Sequence, residues 1–181
     1  MLTGGASTRM GRDKALVEIG GRPPALIAAE ALWGAGATRV VAVGGDASAL
    51  ATLGLEVEVD RHPGAGPLGA LLGAFAAART DIVVVLACDL PEVDAASVAL
   101  VFEALLGDSA AAVARPEQGG RHHVLHAAWR VSAAGPVLAA AFAAGERSPR
   151  RAAAALPRRP VAGVSASALR NANRPQDLRT C

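Results

Sequence analysis

The sequence predicts an α/β fold: a single domain on a mostly parallel central sheet, with helices on both faces. Three observations carry this. Short β-branched runs ending in Gly or Asp recur at Arg39–Gly45, Leu55–Asp60 and Asp81–Asp89. Ala/Leu-rich segments with helical spacing lie between them, at Pro24–Trp33, Asp46–Leu53 and Leu68–Arg79. A length of 181 residues suits one sizeable core and little more. Strand alternating with helix is the signature of parallel strands joined by crossover helices. Strands of such a sheet are buried on both faces and read as continuous apolar runs.

Taken in order, the first strand is a stub, because only three residues precede Gly4 and Gly5. Either the native chain begins earlier or this strand is unusually short. After the third apolar run, a helix fits Ala95–Leu106, with Asp94 as its N-cap. The rhythm then changes. "AAAVARPEQGGRHHVLHAAWRV" reads as two strands around a Gly119–Gly120 turn, followed by helices over Ala133–Ala144 and Pro149–Leu156. No internal repeat and no linker marks a second domain.

Composition narrows the function classes. The chain is 52% hydrophobic and 19% charged, which suits a globular protein rather than a disordered one. Aromatics make up 3% and Tyr is absent, so stacking platforms for single-stranded nucleic acid are missing. A net charge of +2, scattered until Arg147–Arg159, is too weak a footprint for nucleic-acid binding. Cys88 and Cys181 have neither metal nor disulfide spacing, consistent with reduced thiols. Met1–Gly5 lacks the basic and apolar regions of a signal peptide, and runs such as Ile82–Cys88 are too short to span a bilayer. The expectation is a soluble cytoplasmic protein with no membrane contact.

The chemistry concentrates in "LTGGASTRMGRDKAL", Leu2–Leu16. Gly4, Gly5 and Gly11 permit tight main-chain turns, Ser7 and Thr8 supply hydroxyls, and Arg9 and Lys14 supply cations. That inventory suits an oligophosphate; a flexible charged surface loop is the alternative. The spacing fits neither G-x-x-x-x-G-K-[ST] nor G-x-G-x-x-G. In open parallel sheets ligands sit beyond the carboxyl ends of the strands, where this loop, Asp60 and Asp89 all fall.

The longer run "LTGGASTRMGRDKALVEIGGRP" resembles the N-terminal signature of the molybdenum cofactor guanylyltransferase (MobA) family. Leu2, Gly4, Gly5, Ser7, Arg9, Met10, Gly11, Asp13, Lys14 and Leu16 match it. The Asp13–Lys14 pair separates it from related nucleotidyltransferases. "GAGPLGAL" (Gly64–Leu71), "CDLP" (Cys88–Pro91) and "NANRPQDL" (Asn171–Leu178) are similar to later family elements, in the right order. "AGERSPR" (Ala144–Arg150) is similar to a Gly-Glu-Arg segment of the family.

The resemblance implies a Rossmann-like, nucleotide-diphospho-sugar transferase-like fold over residues 1–181. The glycine-rich loop would be 2–16 and the acceptor side about 110–160. It implies transfer of GMP from GTP to molybdopterin, with Mg²⁺ and with release of pyrophosphate. An attacking phosphate is already anionic, so positioning and charge neutralisation suffice.

Leu2, Thr3, Gly4, Gly5, Ser7, Lys14, Asp60 and Asp89 are the implied GTP-binding residues. Lys14, Arg9 and Asp89 carry the catalytic roles; Lys14 would otherwise be a surface partner of Asp13. Asp89, the metal ligand, would otherwise cap a helix. Asp60 matches the position that reads guanine, whose N1–H and N2–H fit a carboxylate. Where the family often carries Asn after its second strand, this chain has Gly44–Gly45. Asn171 and Asn173 are assigned to the molybdopterin side, Asn173 also as a second metal ligand or a turn residue.

His122, His123 and His126, read as one strand, cannot all share a face and form no three-His metal site. The arginines 147, 150, 151, 158 and 159 either meet the acidic acceptor or are surface charge. Transient contact with cofactor-delivery or molybdoenzyme maturation proteins belongs to the same resemblance. The rivals are the same transfer with CTP, and a catalytically silent nucleotide or cofactor carrier.

Overall fold

The computed structural model describes residues 1–4 and 14–172. Among these described residues there are seven strands: β1 (Val41–Val43), β2 (Glu56–Glu58), β3 (Ile82–Leu86), β4 (Val113–Gln118), β5 (Arg121–His122), β6 (His126–Arg130) and β7 (Arg158–Val161). Six α-helices accompany them: α1 (Pro24–Gly34), α2 (Ala47–Thr52), α3 (Pro67–Ala77), α4 (Ala95–Leu106), α5 (Val131–Ala143) and α6 (Pro149–Ala152). The caps explain several boundaries. Asp94 accepts from the Ser97 amide at 2.7 Å and starts α4, and Asp46 accepts from the Ala49 amide at 3.0 Å and starts α2. Pro24 and Pro67 sit in the first turns of α1 and α3, where no donor is lost.

The expected stub strand lies at the centre of the sheet. Leu2 pairs in parallel with Val43 on one side and Ala87 on the other. Its amide donates to Leu86 O at 2.8 Å, and the Thr3 amide to Val43 O at 3.1 Å. The strands therefore run β2, β1, the Leu2 segment, β3, β6, β4, β7. Only β6 and the short β5 run against the rest, so the sheet is mostly parallel, as the sequence predicts. Beside Met1, β1 and β3 line a common cavity of about 700 Å³, with Val41, Val83, Val85 and Phe102 among its lining. The Met1 ammonium donates to Val41 O at 2.7 Å, and burial lowers its pKa.

Helices cover both faces. On one, Leu68, Leu71 and Phe75 of α3 and Leu138 of α5 pack on Val85, Val113 and Trp129. On the other, Ala25, Ala29 and Leu32 of α1 and Val98 of α4 pack on Ala42 and Leu86. Val101 and Leu105 of α4 extend that face over Ala114 and Ala128.

Three local expectations are corrected. The region after α4 has three strands before α5, because the chain turns at residues 123–125. There the His123 amide donates to Pro116 O and the His126 amide to His123 O, each at 3.1 Å. Hence His122 lies in β5 and His126 in β6, with His123 between them. Helix α6 ends at Ala152, short of Leu156. Strand β7 was not expected: "RRPV" is charged, and its Pro160 lacks a donor, both normal on an edge strand.

Candidate functional site

Because the Leu2 segment, β1, β3 and β4 are parallel, their carboxyl ends share one edge of the sheet. Gly4, Gly44 and Asp89 fall on it. Thr3 is buried, and its hydroxyl donates to Gly44 O at 2.7 Å and Val43 O at 3.1 Å. The Gly4 amide also donates to Val43 O, at 3.1 Å. The N–H groups of Leu2, Thr3 and Gly4 are thus committed to the sheet. They hold Gly4 at the sheet edge.

Gly4 and Gly44 touch backbone to backbone. A Cβ on Gly44 would lie 3.1 Å from Gly4 Cα and 3.4 Å from Asp60 Cβ, and Gly44 has φ +77°. Gly73 of α3 completes the approach, since a Cβ there would come 3.3 Å from Val43 Cγ1 and 3.9 Å from Asp60 Oδ1. Sequence reasoning treated Gly44 as a departure from a pattern and passed over Gly73. Both clear space beside Asp60 that any side chain would fill. Asp60 lies just beyond β2 and accepts from the His62 amide at 2.8 Å.

Asp89 follows β3, and its two oxygens differ. Oδ2 accepts from Asn171 Nδ2 at 2.7 Å. Oδ1 is buried with no hydrogen-bond partner among the described residues. The Ala172 amide donates to the Asp89 carbonyl at 2.8 Å, tying the C-terminal element to this strand end. Asp94, not Asp89, caps α4. An orphaned carboxylate oxygen beside a hydrogen-bonded one suits a single divalent cation whose other ligands are phosphates and water. Among the described residues no cluster of three His, Cys, Asp or Glu offers an all-protein metal site.

Lys14 begins a short helical turn, Lys14–Leu16, packed against α1. Gly5, Ser7, Arg9 and Asn173 lie outside the described residues. The Gly-Pro-Leu turn and the Gly-Glu-Arg segment, distant in sequence, meet. The Leu68 amide donates to Arg147 O at 3.2 Å, His62 packs on Phe142 at 4.8 Å between centroids, and Arg147 covers the same ring at 4.3 Å. Arg151 pairs with Glu146 through Nε at 2.7 Å, and this pair holds the Glu146 carboxyl down at about 2. These two arginines are therefore engaged at this corner. His126 is buried, its Nε2 3.3 Å from Ser97 O.

Comparisons with known proteins follow the same lines. The sequence model of the MobA-like NTP transferase domain matches residues 1–161. A molybdenum cofactor guanylyltransferase of Cereibacter sphaeroides is 37% identical, over 98% of this chain and 91% of the relative. One from Burkholderia vietnamiensis is 38% identical over 83% of this chain and 78% of its own. In fold, the chain is similar to the molybdopterin-guanine dinucleotide biosynthesis protein A of Archaeoglobus fulgidus. The TM-score is 0.76 at 22% identity, over 98% of this chain and 92% of that one. The 2-C-methyl-D-erythritol 4-phosphate cytidylyltransferase of Thermus thermophilus gives 0.71 at 20% identity, over 98% and 93%.

Proposed function

Since the chain belongs to the MobA-like NTP transferase family, we propose that it transfers GMP from GTP to molybdopterin. An oxygen of the acceptor phosphate bonds to the α-phosphorus, the bond from that phosphorus to the α–β bridging oxygen breaks, and pyrophosphate leaves. The observation that carries the reading is the carboxyl-edge constellation: the Gly4–Gly44 contact beside Asp60, two strands from Asp89, one of whose oxygens is held by Asn171.

Each group has a task. Thr3 pins the loop to β1, so that the glycines after it can present N–H groups to the triphosphate. Lys14 and Arg9 neutralise charge that grows on the phosphates. Asp60 accepts from the guanine edge, in the space that Gly44 and Gly73 leave open. Asn171 occupies one oxygen of Asp89 and fixes the rotation of the carboxylate, so Oδ1 is the oxygen left for Mg²⁺. Bound there, the ion would neutralise triphosphate charge. Asn173, two residues on, belongs to the same proposal. Asn171 was assigned to the molybdopterin side; its bond to Asp89 supports a positioning role.

In this reading residues 1–181 act as one cytoplasmic nucleotidyltransferase domain, with 110–160 on the acceptor side. The test is direct. Purified chain with GTP, Mg²⁺ and molybdopterin should yield the guanine dinucleotide and pyrophosphate. GTP bound without turnover would point to a carrier.

A further inference from the structure

One strongly polar side chain is left over once the site is assembled. Arg115, in β4, is 2% exposed. Side chains alternate along a strand: Ala114 packs with Val101 and Leu105, whereas Arg115 shares the opposite face with Val113 and Trp129. Its Nε and Nη1 are buried and meet no acceptor. Among the described residues its one hydrogen-bond partner is Glu117, with Nη2 to Oε1 at 3.5 Å, the long limit of a hydrogen bond.

That carboxylate oxygen is shared. His122 Nδ1 lies 3.1 Å from it and Arg158 Nε 3.6 Å. Two guanidiniums and an imidazole thus face one carboxylate. Burial, aided by Arg158, pulls the Arg115 pKa below its ordinary value, yet a guanidinium stays charged at neutral pH. A buried cation with unfilled donors costs stability, and such groups persist where a ligand completes them.

We propose that Arg115 binds an oxyanion of the acceptor, at the end remote from the reacting phosphate. For the acceptor's identity this rests on the guanylyl-transfer reading. The sheet order supports the placement. The groups assigned to GTP lie on the β1 side of Asp89, while Arg115 lies on the other side, beyond β6. Strands are about 4.8 Å apart, so β4 is about 10 Å from β3, a span suited to a phosphate at one end of an acceptor and an oxyanion at the other. Ala87 N–H to Leu125 O at 2.8 Å and His123 N–H to Pro116 O at 3.1 Å stitch the intervening edge. Glu117 lies two residues nearer that edge and draws the guanidinium toward it.

Arg115→Gln and Glu117→Gln decide the matter. In the transfer assay, Arg115→Gln should raise the acceptor KM about 10- to 100-fold and leave the GTP KM within about twofold. Its Tm should not fall, because the substitution removes a buried, unsatisfied charge. Inorganic phosphate should raise the Tm of the wild-type chain, raise that of Glu117→Gln at lower concentration, and raise that of Arg115→Gln less than that of wild type, what remains being phosphate held at the nucleotide site. Metal-free and molybdate-loaded acceptor separate the source. A KM effect confined to the loaded form places the oxyanion on the metal, whereas an equal effect on both would mean that Arg115 meets a neutral carbonyl of the acceptor and would overturn the oxyanion. An unchanged acceptor KM, or equal phosphate stabilisation of wild type and Arg115→Gln, would overturn the proposal. If the wild-type chain transfers no GMP, the reaction assignment fails, and the phosphate titration still decides the Arg115 site.

Discussion

Asp89 presents two oxygens in unlike states, one satisfied by Asn171 and one buried without a donor. That asymmetry predicts the outcome of Asp89→Asn. The amide keeps the shape and removes the charge a cation needs, so kcat should fall at least about a hundredfold. Thermal unfolding should shift little, since no internal ion pair is lost; a matching loss of stability would make Asp89 structural. Gly44→Ala should act the other way round. With φ at +77° and the new Cβ 3.1 Å from Gly4 Cα, the substitution should cost about 1–3 kcal/mol by denaturant unfolding and displace the loop anchor. Lys14→Ala should lower the rate far more than the unfolding midpoint; equal losses would return Lys14 to a surface role. The position of Asp89 at a strand end was legible because a carboxylate closes an apolar run. Its partner was not, since Asn171 is 82 residues away and no local pattern records such a pairing. Arg115 was passed over because one cation in an Ala-rich strand reads as a solvent-facing position until its neighbours are known.

Among the elements, those with local punctuation were read well. Helix α4 spans the residues expected, because Asp94 caps it and Gly107 follows its end. The two-strand reading of the following region failed because its extra turn rests on the non-local His123–Pro116 bond. Strand β7 was illegible for a related reason: an edge strand needs no apolar face. Strand β6 also carries a pH response. His126 sits buried against Ser97 of α4, and burial lowers its pKa, partly offset by that carbonyl. The unfolded imidazole, near 6.5, then binds its proton more readily than the folded one. Stability is full above that value and should decline as pH falls through about 6.5 toward the folded pKa. His126→Leu should flatten this part of a Tm-against-pH curve. A wild-type curve already flat between pH 7 and 5 would remove His126 as its source.

For the whole molecule, the arrangement that matters is the division of the carboxyl edge. The Leu2 segment runs between β1 and β3 and ends at Gly4, Asp60 closes one flank, and the antiparallel β6 separates Asp89 from β4. The alternation of strands and helices made the parallel half legible. The half around β6 and β4 depends on antiparallel pairings between distant residues, which periodicity does not encode. Base choice tests the division most directly. The chain should be titrated by calorimetry with GTP and then with CTP, each with Mg²⁺, for wild type and Asp60→Asn. The account predicts that GTP binds at least about tenfold tighter than CTP and that Asp60→Asn removes most of that preference, because a site built to pair donors rejects a base lacking them. Equal or tighter binding of CTP by the wild-type chain would contradict it.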